Sequence, residues 1–254
     1  MLTEMQGTRH EIPGVSMESE DIDGLIHITR VHVTSKEGAD ALLKEPGRYI
    51  TAEMPARFYG QQEIYETMCR VCAKELQSIT RRYLTDENDS VLVIGLGNWN
   101  ITADALGPKV IHSLMITRHL KEYIPDEIDE GIRPVSAIAP GVLGLTGVET
   151  GEVICGVLDR VRPAAVIAVD ALAAGRLSRL LHTVQLADTG ITPGAGVGNA
   201  RAALNEETLG VPVIAVGVPT VVDGATLAHE ISSQLGQPCP QGFRHFLQPD
   251  FRKA

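Results

Sequence analysis

Aromatic residues are scarce in this chain. Four Phe, five Tyr and one Trp make up 4% of 254 residues, while Ala, Val, Ile, Leu and Gly dominate. That balance suits helices packed closely on a sheet better than a β-sandwich. Long apolar runs are missing too: no stretch of about 18 apolar residues occurs, and no basic, apolar leader opens the chain. Neither a membrane span nor a secretory signal is read, and a cytoplasmic location is expected. Basic residues are outnumbered, 22 Lys and Arg against 32 Asp and Glu, for a net charge of −10. A nucleic-acid binder held by phosphate contacts is therefore not expected. Three motifs are absent as well: the Gly-Lys-Ser/Thr of a phosphate loop, the Gly-x-Ser-x-Gly nucleophile elbow and the His-Glu-x-x-His zinc pattern. The four cysteines include Cys69-Arg-Val-Cys72 at redox or zinc spacing. That pair falls mid-helix with no second Cys or His pair near it, so Cys69, Cys72, Cys155 and Cys239 read as reduced thiols. No metal or cofactor is expected.

What is present is 44% hydrophobic residues over a length that suits one large α/β domain. Residues 1–23, polar and acidic with Pro13 and Gly14, read as a loosely held arm. Alternation over 25–33 and β-branched content over 47–53 predict an antiparallel strand pair at the edge of the main sheet. Apolar residues at three- and four-residue steps predict helices over 61–83 and 105–123. Strands are expected at 91–95, 134–139, 164–169 and 211–216, with helices at 151–160 and 224–235. Strands and helices alternating in this way predict βαβ units, a mostly parallel sheet and a single domain over 24–236. Residues 237–254 read as a poorly ordered tail.

Val91-Leu-Val-Ile-Gly-Leu-Gly97 is a buried strand running into a tight turn, and the loop after it places Asp104 just before a helix. Ala164-Ala-Val-Ile-Ala-Val169 is a second buried strand, ending directly in Asp170. In one parallel sheet the C-terminal ends of such strands share an edge, where α/β proteins build sites. Asp104 alone could be a helix cap. A carboxylate following an apolar strand is instead partly desolvated, which is unfavourable unless it is paired, hydrogen-bonded or protonated. Two such groups sharing one proton can activate water as base and protonate a leaving amine as acid.

Other signals carry less. Gly95-Leu-Gly97 begins like a dinucleotide fingerprint, but Asn100 holds the third glycine position and the helix starts late. Asp188-Thr-Gly190 matches the tripeptide of pepsin-type proteases, but occurs once and in an α/β context; its alternative is a turn in which Asp binds nearby backbone. His112 and His119, seven apart on the expected helix 105–123, share a face there, and His182 opens a strand; all read as core or surface residues. The glycine-rich loops 140–147 and 190–198 lie beside strand ends and are expected to wrap the site.

Longer runs resemble a known family. They are Gly95-Leu-Gly-Asn, Thr102-Ala-Asp-Ala-Leu-Gly-Pro-Lys109, Thr117-Arg-His-Leu120, Arg133-Pro-Val-Ser-Ala-Ile-Ala-Pro-Gly141 and Gly144-Leu-Thr-Gly-Val-Glu-Thr150. Asp170-Ala-Leu-Ala-Ala174, Gly194-Ala-Gly-Val-Gly-Asn199 and the run from Glu207 to Asp223 continue the match. The chain resembles the germination proteases of spore-forming bacteria over roughly residues 14–229. The resemblance implies an atypical aspartic endopeptidase whose catalytic aspartates are Asp104 and Asp170, the pair already singled out by strand position. It further implies a three-layer α/β/α sandwich like that of hydrogenase maturation peptidases, a homotetramer, and synthesis as a zymogen in the developing spore. Self-processing near the N-terminus and cleavage of small acid-soluble spore proteins after Glu are implied too, with a location in the forespore or spore core. Asn98, Gly141, Gly144, Arg176, Gly194 and Gly196 are the expected substrate contacts. Three departures stand beside the resemblance. No Thr-Asp-Leu-Ala-type segment precedes Gly14, the family continues past the Asp223 region with a helical part, and Gly175-Arg176 replaces the more usual Arg-Ser. The alternatives are a metal-dependent maturation-type peptidase and a non-catalytic paralogue acting as an adaptor.

Overall fold

The computed structural model describes residues 12–58, 60–129, 131–198 and 201–236. In chain order its elements are β1 (Val15–Ile22), β2 (Ile26–Val33), α1 (Lys36–Leu42), β3 (Gly47–Glu53), α2 (Gln62–Thr80) and β4 (Val91–Gly95). Then come α3 (Leu106–Ser113), α4 (Arg118–Tyr123), β5 (Val135–Ile138), α5 (Leu143–Thr146), α6 (Thr150–Val161) and β6 (Ala165–Ala174). The last are β7 (Thr183–Ala187), α7 (Glu206–Leu209), β8 (Val213–Val222) and α8 (Gly224–Gln234). The strands form one eight-stranded sheet in the order β1-β2-β3-β7-β8-β6-β4-β5. No helix among the described residues is long and apolar enough to cross a membrane.

The sheet has two halves of different character. β5, β4, β6 and β8 run parallel, as uninterrupted apolar strands joined by helices must. β8, β7, β3, β2 and β1 pair antiparallel throughout, so the expected mostly parallel sheet is parallel only in the half built from the later βαβ units. The expected pair at 25–33 and 47–53 is present as β2 and β3. It is not the edge, because β1 pairs with all of β2 from Val15 opposite Val33 to Ile22 opposite Ile26. Residues 15–22, assigned by composition to a loose arm, are thus an outer strand. Its charged, exposed side chains suit a sheet edge and hide its β character from a composition argument. Residues 1–11 and the expected tail at 237–254 lie outside the described residues.

Helices cover both faces. Ile64, Met68, Val71 and Ile79 of α2 pack on Ile28, Ile50, Ala52, Leu186 and Ile214. On the same face α3 sets Leu106, Val110 and Ile111 against Val91, Val93 and Val169. Ile154 and Leu158 of α6 meet Leu92, Ile94, Val166, Ala168 and Val213 on the other face, as strand alternation requires. The expected helix 105–123 is split between α3 and α4. The interruption has a cause at Thr117, whose N–H donates to the Val135 carbonyl at 3.1 Å while its Oγ1 accepts from the Val135 N–H at 2.9 Å. Those bonds tie the chain to the start of β5, and Leu114 is extended instead of helical. His112 and His119 consequently stand on different helices and share no face.

Candidate active site

β4 ends at Gly95, where Leu96 donates its N–H to the Val169 carbonyl at 2.8 Å, so the chain leaves the sheet beside the middle of β6, next to Asp170. A Cβ on Gly95 would sit 2.3 Å from the Gly107 carbonyl oxygen, and one on Gly107 would sit 2.3 Å from that of Leu96. The two glycines let α3 press against the strand end. Gly97 has φ of +110°, and a Cβ there would lie 2.0 Å from the Asp104 carbonyl oxygen. The glycines of the apparent dinucleotide fingerprint therefore serve close backbone packing that folds the loop back and holds Asp104 over the sheet.

Asp104 closes a short 3-10 turn, Thr102–Asp104. Its Oδ2 accepts the Asn98 N–H at 2.8 Å, and that N–H also reaches its carbonyl oxygen at 3.0 Å. Thr220 of β8 braces the same turn, donating its hydroxyl to the Ala103 carbonyl at 2.6 Å. Asp170 lies within β6, which continues four residues beyond it, and is only 7% exposed. Its Oδ1 accepts the Ala171 N–H at 2.9 Å. Neither carboxyl is in an ion pair among the described residues. Burial pushes the Asp104 carboxyl above the usual carboxylate range, opposed by the Asn98 N–H. Burial also lifts Asp170, to about 6; the Ala171 N–H opposes this and the charge of Asp104 adds to it. The two groups thus feel each other, and Asp170 holds the proton the more tightly.

Both line one cleft of about 690 Å³. Asn98, Gly141, Gly144, Gly194 and Gly196 line it with them, so the chain ends of β4 and β6 and the two glycine-rich loops converge. Arg176 does not line it; β6 carries the chain past the cleft before Arg176 is reached. The basic group at the cleft is Arg201, ion-paired at 3.2 Å with Glu149, which also lines it. Thr220 and Gln185 also line the cleft and escaped the sequence reading. The one signal for Thr220 was that the apolar run beginning at Val211 extends past Val216.

Asp188 is elsewhere. Its Oδ1 accepts the Arg48 N–H at 2.7 Å and its Oδ2 pairs with Arg82 at 2.9 Å, so the tripeptide fastens β3 and α2's end to β7. Among the described residues no cluster of three His, Cys, Asp or Glu could hold a metal ion, and neither His nor Cys lines the cleft. Cys69 and Cys155 are exposed and Cys72 half-buried, all as free thiols; Cys239 lies outside the described residues.

Comparison with known proteins agrees with the runs that carry the resemblance. The germination protease family matches residues 2–235. The germination protease of Clostridium tetani is 54% identical over 220 residues, covering 87% of this chain and 67% of the relative. That of Clostridium acetobutylicum is 52% identical, covering 85% and 66%. That of Bacillus cereus is 45% identical, covering 91% and 62%. The chain thus spans about two thirds of the length of these relatives. With the family model matching residues 2–235 and relatives 45–54% identical over most of its length, the chain belongs to the germination protease family.

Proposed function

We propose that this chain is an endopeptidase of spore germination that cleaves small acid-soluble spore proteins, with Asp104 and Asp170 activating water. The observation that supports this most is the pair itself: two carboxyls, one from the turn after β4 and one from within β6, facing one cleft, with Asp170 raised to about 6 and Asp104 by a smaller push. In the working state Asp104 is ionised and Asp170 protonated. Asp104 takes a proton from water as its oxygen bonds to the scissile carbonyl carbon, and Asp170 donates its proton to the carbonyl oxygen. When the tetrahedral species collapses, Asp104 gives its proton to the departing nitrogen and Asp170 recovers one from the gem-diol hydroxyl. The C–N bond breaks, one water is consumed, and both carboxyls return to their starting states. Asn98 and Thr220 position Asp104, and the loops carrying Gly141, Gly144, Gly194 and Gly196 admit a polypeptide backbone to the pair. The homotetramer, zymogen synthesis and a spore-core location belong to the same proposal and rest on the family.

The test is cleavage of a purified small acid-soluble spore protein by the wild-type chain, Asp104→Asn and Asp170→Asn, each with and without chelator. Cutting by wild type alone, indifferent to chelator, supports the two-aspartate peptidase. Loss of wild-type activity with chelator supports the metal-dependent alternative, and equal inertness of all three supports the adaptor.

A further inference from the structure

The cleft does not end at the aspartates. Gln185 and Leu172 line it and also line a second, larger cavity of about 1,090 Å³ that runs over β8, β7 and β3 as far as α1. This is the face on which α6 covers β4 and β6, and its cover stops there. Strand pairing places one row of residues across that face: Asp170 opposite Gly217, Gly217 opposite Gln185, and Gln185 opposite Thr51. Paired residues point to the same side of a sheet, so the row leads from the catalytic carboxyl along the floor of the open groove. Ala187 and Ala215 keep the floor small beside the row, and the Leu172 side chain lies over Gly217. The Gln185 carboxamide, half-buried, makes no hydrogen bond among the described residues and stands at the junction of the two cavities.

We infer that this groove is the extended subsite for one side of the substrate, seating an unfolded polypeptide segment that crosses the strands from Asp170 to Thr51. The inference rests on the peptidase reading of the Asp104 and Asp170 pair. Three strand spacings span about 14 Å, the reach of about four residues of extended chain. A segment running across the strands finds no strand edge to pair with, so its backbone is held by side-chain amides and hydroxyls. Gln185 offers both a donor and an acceptor to it, Thr51 offers a hydroxyl at the far end, and the Leu172 side chain, seated over Gly217, offers an apolar contact between Asp170 and Gln185. Continuity with the catalytic cleft, a floor of small residues and an unpartnered amide at the join all favour a peptide backbone over another occupant.

The test uses peptides taken from a mapped cleavage site and lengthened one residue at a time on either side. Cleavage by the wild-type chain is measured together with fluorescence-anisotropy binding to Asp170→Asn. Expected is a rise in kcat/KM and in affinity with length on one side only, levelling off after about four residues. Thr51→Trp, a good strand residue that fills the far end, is expected to abolish that gain, and Gln185→Ala to lower kcat/KM for the long peptide about tenfold. Length-independence on both sides overturns the subsite. So does a Thr51→Trp chain that keeps the length gain, or one whose sedimentation shows a lost association between copies, which would make the face an inter-copy interface. If no peptide is cut but longer ones bind Asp170→Asn more tightly, the groove stands and the peptidase reading falls.

Discussion

The two halves of the sheet solve the same packing problem differently. The parallel half is covered by α3 on one face and α6 on the other, and its strands are almost wholly apolar. The antiparallel half is covered by α2 on one face; on the other, α1 packs on Val31, Val33 and Tyr49, and the rest is an open groove. The candidate site sits where β4 ends beside β6, and Asp170 is desolvated because it lies buried within the parallel ladder itself. Charge in the second half is structural. Arg30 of β2 reaches Glu75 of α2, which is 4% exposed, with Nε 3.1 Å from Oε2. That pairing raises the Arg30 guanidinium further above its already high value. A buried carboxylate with an arginine beside it holds a fold together, whereas Asp170, buried without a cation, stores a tendency to take up a proton.

The largest expected effect tests that contrast directly. Asp170→Asn and Asp104→Asn should each lower kcat at least about a thousandfold, about 4 kcal/mol of transition-state stabilisation, without lowering stability. For Asp170 the change should stabilise. The folded carboxyl keeps its proton up to about pH 6, whereas an unfolded aspartate loses it near 4. The folded state therefore binds more protons across that window, and stability falls as pH rises through it. Above about pH 6 Asn removes this penalty, and a melting curve at pH 7.5 should lie above wild type by about 2 kcal/mol, the difference closing below pH 4. Arg30→Met should do the reverse, losing about 3 kcal/mol by stranding Glu75 while leaving kcat on any cleaved peptide close to wild type. An Arg30 variant that lost activity before stability would break the division between the halves.

The same proton affinity sets a pH profile. With Asp170 required protonated and Asp104 ionised, kcat/KM should be bell-shaped, its alkaline limb near pH 6 and falling about tenfold per unit above it. A plateau reaching past pH 8 would mean that Asp170 does not carry the proton.

Much of the candidate site was legible because its signals are local. Asp170 directly follows a run of apolar strand residues, although β6 continues past it to Ala174, and the glycines of Gly95-Leu96-Gly97 announce a backbone pressed against its neighbour. What was not legible depends on contacts far away in sequence. Asp188 became a fastener through Arg48 and Arg82, residues that no tripeptide pattern contains. β1 was hidden because an edge strand needs no apolar face to form. The split at Leu114 to Thr117 comes from the start of β5, not from a helix-breaking residue nearby. A strand was expected over 211–216, whereas β8 runs from Val213 to Val222 and passes through Pro219. The register shifts between Leu172 and Ala173, close to Leu172 opposite Pro219. That extension is what brings Thr220 to the cleft.

Thr220 gives the smallest effect and the finest test of how the halves meet. It sits on β8, the strand shared by both, and its hydroxyl holds the Ala103 carbonyl at 2.6 Å, one residue before Asp104. Thr220→Val keeps the shape and the strand preference but leaves that carbonyl unpaired, which should lower stability by about 1 kcal/mol. A structural brace alone would stop there. A positioning role predicts more: kcat should fall several-fold with KM little changed, since a small displacement of a catalytic carboxyl acts on the transition state. Thr220→Ser, which restores the donor, should recover kcat even if it is less stable than wild type. Equal kcat in Val and wild type would mean that Asn98 and Gly97 hold Asp104 by themselves, and that the parallel half builds its site without help from the strand at the border.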